Sequence, residues 1–395
     1  MFLQRVFWAV VGVKLLGELA SVLMPFQIGA YIDGVGLDEV SAGFTGAIET
    51  ATLAICMILL AWFARGISPR KLAIFGVLFV IVGQFTTAFA GSYPLLIGTR
   101  MLAGVGAGFC ISATLKTIAS YFKEPEVAAG HSFAFLNIGV ASLLWLAPSL
   151  MQISEWPPHV TLFILFGALA LLILPIASVL PKWVNGEGHV APDEEALSFS
   201  NLPWRPVALF ALAQFFLLIG IGAVWAFLER IGLAIGIPLD EIGLYLGVTL
   251  LLSVSGSFLA GWLGSRFGRT LPLTGGCLAI AVASIGVGYA QGPESYVAAI
   301  LAFQFAVSFT LPYLVGTAAV LDRVGSVAIA AYSIQVFSFG VGTALGGLVA
   351  HAYATQTVGW VGVFGCSVGA LIFVPVCREI NRIASNGVPI YANSI

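Results

Sequence analysis

Charge is what this sequence has least of. Only 9% of its 395 residues are Asp, Glu, Lys or Arg, against about 25% in soluble domains. The net charge is −2, which leaves no basic surface for nucleic acid. Histidine is scarce and dispersed, at 131, 159, 189 and 351, so no metal cluster or Ser/His set can be drawn within the apolar stretches. No GxxxxGK[ST] string is present to cradle nucleotide phosphates, which disfavours ATP-driven pumping. The five cysteines, Cys56, Cys110, Cys277, Cys366 and Cys377, show neither CxxC nor Cys/His spacing and read as small buried hydrophobes. The expectation is therefore no enzyme, no cofactor, no metal and no nucleic acid.

What is abundant is apolar surface, at 59% of residues. No soluble core of this length could hide it, so lipid must cover much of it. A bilayer core takes about 20 mostly apolar residues per helix. Spans are predicted near 6–31, 42–64, 72–91, 94–121, 128–150 and 160–180, then near 205–230, 242–264, 271–290, 295–321, 326–351 and 358–377. The first run is broken by Lys14 and Glu18 and then resumes, which fits an uncleaved first span better than a leader peptide. With twelve spans, Arg5, Arg65, Arg70, Lys71, Lys123, Lys182, Arg205, Arg266, Arg269, Arg323, Arg378 and Arg382 all fall on one side. The opposite loops carry Asp33, Asp38, Glu39, Glu155, Asp240, Glu241 and Glu294, with Arg230 the only basic residue. Basic loops stay cytoplasmic, so both termini are expected in the cytoplasm, as for a multi-pass protein of a bacterial inner (plasma) membrane.

The one long polar stretch, 181–204, reads as a cytoplasmic linker between an N-terminal bundle (1–180) and a C-terminal bundle with a short tail (205–395). The halves look alike. Leu37-Asp38-Glu39-Val40 matches Leu239-Asp240-Glu241-Ile242, and Ala129, Ser132, Gly139 and Val140 align with Ala330, Ser333, Gly340 and Val341. Both matches sit at an offset of about 200 residues. The predicted fold is an all-α polytopic membrane protein: two six-helix bundles related by pseudo-two-fold symmetry around a central cavity.

Two motifs carry a family resemblance. Gly261-Trp-Leu-Gly-Ser265-Arg266-Phe-Gly268-Arg269-Thr270 resembles the G-xxx-D-R-x-G-R-R loop of the major facilitator superfamily, with Ser265 in the Asp place and Thr270 in a basic one. The equivalent first-half loop, Arg65 to Lys71, keeps only the basic pair Arg70 and Lys71. Arg100-Met-Leu-Ala-Gly104-Val-Gly106-Ala-Gly108 looks like that family's fourth-helix pattern. The resemblance implies a twelve-span secondary transporter, a gating loop on Arg70, Lys71, Gly261, Arg266, Gly268 and Arg269, coupling or cavity organisation by Arg100, and a monomer. The drug-antiporter string G-xxx-G-P-xx-G-G is absent from the fifth span.

Charges within spans are costly and need a partner or a task. Lys14 and Glu18 share a helix face at i,i+4. They form an internal salt bridge, or Lys14 snorkels and Glu18 carries protons. Arg100 keeps its charge and must meet a carboxylate, carbonyls or an anion, with Glu49 and Glu18 the acids nearest in depth. It either ties helices or takes part in coupling. Glu49 is interfacial or faces the cavity. Glu229 and Arg230 are neighbours in sequence and are expected to diverge, both on the outer surface or with Glu229 facing the cavity. Proton coupling is thus placed on Glu18, Arg100 and Glu49. Solute binding is placed on Lys14, Phe26, Asn137, Trp225, Gln304, Tyr313 and Gln335. Pro25 and Pro312 fall inside or near the outer ends of their spans, where Pro can bend a helix and so serve gating. The function these residues point to is proton-coupled movement of a small organic solute, an organic anion or an amphipathic aromatic compound, by alternating access. A drug or metabolite efflux pump and an uncoupled uniporter are the alternatives.

Overall fold

The computed structural model describes residues 4–63, 67–122, 125–182, 204–264, 266–321 and 326–385. The first half holds α1 (Arg5–Val22), α2 (Met24–Gly29) with a π-helical turn (Ala30–Val35), α3 (Glu39–Phe63), α4 (Pro69–Ala88), α5 (Tyr93–Tyr121), α6 (Pro125–Ile153) and α7 (Pro158–Ala177). The second holds α8 (Trp204–Ala226), α9 (Leu228–Ala234), α10 (Leu239–Leu263), α11 (Thr270–Gly288), α12 (Pro293–Leu321), α13 (Ser326–Ala352) and α14 (Val358–Ser385). Among the described residues, eleven helices are long and apolar enough to cross a membrane, and α1 joined to Met24–Val35 across a 54° bend makes the twelfth. Large apolar side chains such as Phe63, Leu172, Phe258 and Leu371 stand exposed on the outside, as lipid contact requires.

The repeat is visible in the helices. α3 and α10 are both 25 residues and begin at 39 and 239, and α5 and α12 are both 29 residues and begin at 93 and 293. Gly36 and Gly236, which follow the broken first helix of each half, share a left-handed backbone with φ of 80° and 82°. Most of the expected linker, 183–203, lies outside the described residues, as do Arg65, Lys123, Ser265 and Arg323.

The end of the bundle where α1 begins and α14 finishes is the termini side, and the opposite end is the far side. The halves meet where α3 packs on α13 and α6 on α10. At these seams the backbones touch. A Cβ on Gly43 would stand 2.9 Å from the Thr343 carbonyl oxygen, and one on Gly247 would stand 2.9 Å from that of Ala141. Both seams lie in the far-side portions of their helices.

Two prolines shape the core. Pro has no N–H, so it strands the carbonyl four residues earlier, which in lipid must find another donor. Pro25 strands Ser21, and the Trp225 indole of the second half donates to that carbonyl at 3.0 Å. At the same bend the Gln27 amide donates to the Leu19 carbonyl at 3.0 Å. Pro312 strands Ser308, and the Ser257 hydroxyl of α10 donates there at 2.8 Å. The expected bend is realised at Leu23, just before Pro25, whereas α12 runs on through Pro312 as one helix.

Candidate functional site

Arg100 is fully buried eight residues into α5. Its guanidinium pairs with Glu49 of α3 at 3.2 Å. Nε donates to Thr87 Oγ1 at 3.0 Å, and Nη2 donates to Gln84 Oε1 at 2.9 Å, Thr87 Oγ1 at 2.7 Å and the Gly83 carbonyl at 3.3 Å. The Phe163 ring of α7 lies 4.5 Å from its central carbon, and Tyr31 stacks on Phe163 at 5.7 Å. One cation thus draws α3, α4, α5 and α7 together. Of the two acids nearest in depth, Glu49 is the partner. Its second oxygen, Oε2, is buried without a hydrogen-bond partner.

Glu18 has a different neighbour. Its Oε1 accepts from the Tyr332 hydroxyl of α13 at 2.6 Å, so the carboxylate spans the two halves. Lys14, one turn nearer the termini side, holds its ammonium 5.3 Å from the centre of the Phe133 ring. No Lys14–Glu18 ion pair forms among the described residues; the i,i+4 spacing puts both groups on one face, but Glu18 meets the second half while Lys14 lies over a ring of α6 in the first. Ser21, the next residue on the stripe, receives Trp225 of the second half.

Other polar residues gather at similar depth. Asn137 is half-buried on α6, one turn from Ala141 and so on the face that meets α10. Gln335 donates to Gln214 Oε1 of α8 at 2.7 Å, and Gln214 Nε2 is buried with no partner. Gln304 is buried in α12 with neither amide atom partnered. Phe26 is fully buried in α2. Tyr313 points toward the termini side, donating to the carbonyls of Ala260 at 3.3 Å and Gly264 at 3.1 Å, where α10 ends.

The loop residues lie at the termini side. Arg70 Nε donates to the Leu180 carbonyl at 2.6 Å and its backbone N–H to Pro181 at 3.2 Å, a cation placed on the carbonyl end of α7. Lys71 N–H donates to Ser68 Oγ, the cap of α4, at 3.4 Å. In the second half Arg266 lies over the Trp262 ring at 5.2 Å. Gly264 and Gly268 take positive φ, 52° and 65°, while Gly261 and Arg269 flank this turn.

At the far side the expectation for Glu229 and Arg230 is corrected. They do not diverge. The short helix α9 turns Arg230 back, so that Nε reaches Glu229 Oε2 at 2.8 Å and Nη2 reaches Oε1 at 3.1 Å. The same guanidinium grips Asp33 of the first half, with Nη1 to Oδ1 at 2.9 Å and Nη2 to Oδ2. Glu229 is buried rather than outer-surface. His351 Nδ1 meets Glu39 Oε2 at 3.0 Å, and Gln152 donates to Asp240 at 3.1 Å. Asp38 caps α3: the Ser41 N–H donates to it at 2.7 Å and holds its carboxyl below the usual carboxylate range.

Arg230→Gln is expected to loosen this clasp, since it leaves the Glu229 carboxylate buried without a cation. Spin labels at Leu37 and Tyr353 should then report a second, longer distance. An unchanged single distance would show that the clasp does not hold the far side shut.

The sequence did not single out Tyr332, Tyr31, Gln84, Thr87 or Phe163. Gln84 and Thr87 carried a usable signal, polar residues three apart in an otherwise apolar span and hence on one helix face. Tyr332 carried none, because its importance lies in which helix it meets.

Buried ion pairing inside apolar helices, two repeated halves and a polar stripe between them define an integral multi-pass membrane protein built as a transporter. The Major Facilitator Superfamily model matches residues 16–324, and the chain belongs to that family. The solved D-xylose-proton symporter superposes with a TM-score of 0.75 at 16% identity, over 95% of this chain and 98% of that one. A bacterial homologue of the human lysosomal transporter Spinster, in an inward-facing and unoccupied conformation, gives 0.72 at 15% identity over 98% and 97%. Probable anion transporter 6, chloroplastic, of Arabidopsis thaliana is 34% identical over 114 residues, 27% of this chain and 21% of that relative's length.

Proposed function

We propose that the chain moves a small organic solute across the membrane by alternating access coupled to protons, and that the solute is an organic anion or an amphipathic aromatic compound. One observation carries the reading: Glu18, an ionisable group on the bent first span, faces the second half and not lipid. Charges embedded in a membrane mark solute or proton paths. Lys14 on the same stripe, with Asn137 and the Gln335–Gln214 pair, supplies donors suited to an anion. Phe26, Trp225, Gln304 and Tyr313 complete the proposed binding set. The Arg100–Glu49 pair is the second coupling element, because Glu49 Oε2 is free to take a proton without breaking a hydrogen bond. The matched stretch of an anion transporter and the fold shared with a proton symporter support the same reading.

In this reading the termini side is cytoplasmic, since Arg70, Lys71, Lys182, Arg205, Arg266, Arg269 and Arg378 collect there. The contacts described at the far side support reading this as the state open to the cytoplasm, with the basic loop residues latching that side in the other state. The working unit is one chain.

The test is proton flux in proteoliposomes carrying an internal pH dye, screened with organic anions, organic cations and neutral aromatics. A solute-dependent pH change is expected with an anion or aromatic. Measurable solute flux with no pH change would make the protein a uniporter and would remove Glu18 and Arg100 from coupling.

A further inference from the structure

Among the described residues, the hydrogen bond that takes Glu18 across to the second half is the one it accepts from the phenol of Tyr332. The 2.6 Å separation falls in the range of a hydroxyl donating to an ionised oxygen, about 2.5–2.7 Å. The Tyr332 ring is held by an apolar cluster, Ala20, Leu53, Ala54, Met57, Ala107, Ile111 and Val336, that draws on α1, α3 and α5 as well as α13. Packed from both halves, the ring has little freedom and its hydroxyl is aimed at α1.

We propose that Tyr332 is the positioning residue that ties the proton on Glu18 to the contact between the two halves. The inference rests on the reading of Glu18 as proton carrier. A hydroxyl bonded to a carboxylate is roughly twice as strong a link as one bonded to a neutral acid. An ionised Glu18 therefore holds α1 to α13, and a protonated Glu18 lets them part. Among the described residues, no neighbouring ionisable group other than Tyr332 forms a hydrogen bond or ion pair with Glu18. Lys14 is a turn away over Phe133. Glu49 and Arg100 are engaged with each other. Lys116 of α5, His131 of α6 and the basic pair opening α4 lie toward the termini side, and His159 opens α7 at the far side. Removing one oxygen from Tyr332 deletes the bond and leaves the ring packing.

The test uses the full chain in lipid nanodiscs with no solute, so that the proton itself is the probe. Infrared difference spectra are recorded across a pH titration. On acidification the wild type should gain a protonated-carboxyl C=O band that Glu18→Gln lacks. In Tyr332→Phe the carboxylate band that disappears on acidification should be shifted from its wild-type position, because the ionised Glu18 has lost its donor. Spin labels at Gln4 and Ala330 should change separation with pH in the wild type and stay fixed in Tyr332→Phe. A carboxylate band unmoved in Tyr332→Phe, or a separation that follows pH identically in both or in neither, overturns the inference and leaves Glu18 as carrier. A band that survives Glu18→Gln overturns the proton reading itself.

Discussion

Arg100→Ala is expected to cost about 3–5 kcal/mol of stability, the penalty for leaving one member of a buried ion pair alone. The loss should be larger than for Glu49→Gln, because the neutral amide still offers an acceptor to Nη1 while Gln84, Thr87 and Gly83 keep their bonds to the guanidinium. Arg100→Lys should not rescue. A single ammonium cannot reach α3 and α4 together in the way a five-donor fork does. Pairing Arg100→Met with Glu49→Leu should recover much of the loss, since no lone charge then remains in the core. Unfolding in mild detergent, followed by circular dichroism, reads all four. Arg100→Ala unfolding within about 1 kcal/mol of wild type would mean that the pair is held for transport and contributes little to the fold.

Glu18→Gln is expected to abolish gradient-driven accumulation while solute exchange continues. For one coupled proton, each unit of pH difference supports at most about a tenfold concentration ratio, since about 1.4 kcal/mol is a factor of ten. The variant's ratio should fall to that of liposomes with equal pH on both sides. The side chain keeps its length and an acceptor for Tyr332, so loss of folding is not the expected cause, and surviving exchange would show it directly. Full accumulation in Glu18→Gln would exclude Glu18 as the sole carrier.

The sequence displayed the architecture because lipid imposes a length on every span. Each predicted span overlaps its helix, with ends displaced by a few residues, as at 42–64 against Glu39–Phe63. The repeat could be read from Leu37–Val40 and Leu239–Ile242. Glu49 as an acid near Arg100 in depth was also legible, because depth follows from counting along antiparallel helices. What could not be read was direction around the helix axis. Glu229 and Arg230 show this best. Adjacent residues on a regular helix point about 100° apart, but α9 is a seven-residue fragment after a break at Phe227, and a long Arg side chain folds back across it. The Glu18–Tyr332 link was hidden for a related reason: 314 residues separate the partners, and no local pattern encodes which helices face each other.

In the proposed alternating-access cycle, the carbonyl of Ser21 has to change hands. Pro25 denies it an intrahelical donor, and in this state Trp225 supplies one from the other half. When the far side opens, that indole withdraws. A bare carbonyl in hydrocarbon costs several kcal/mol, so the opened state must admit water, or a donor carried by the solute, as deep as Ser21. A proline four residues farther along thereby sets the floor of the outer vestibule: the protein cannot open on that side without wetting its own hinge.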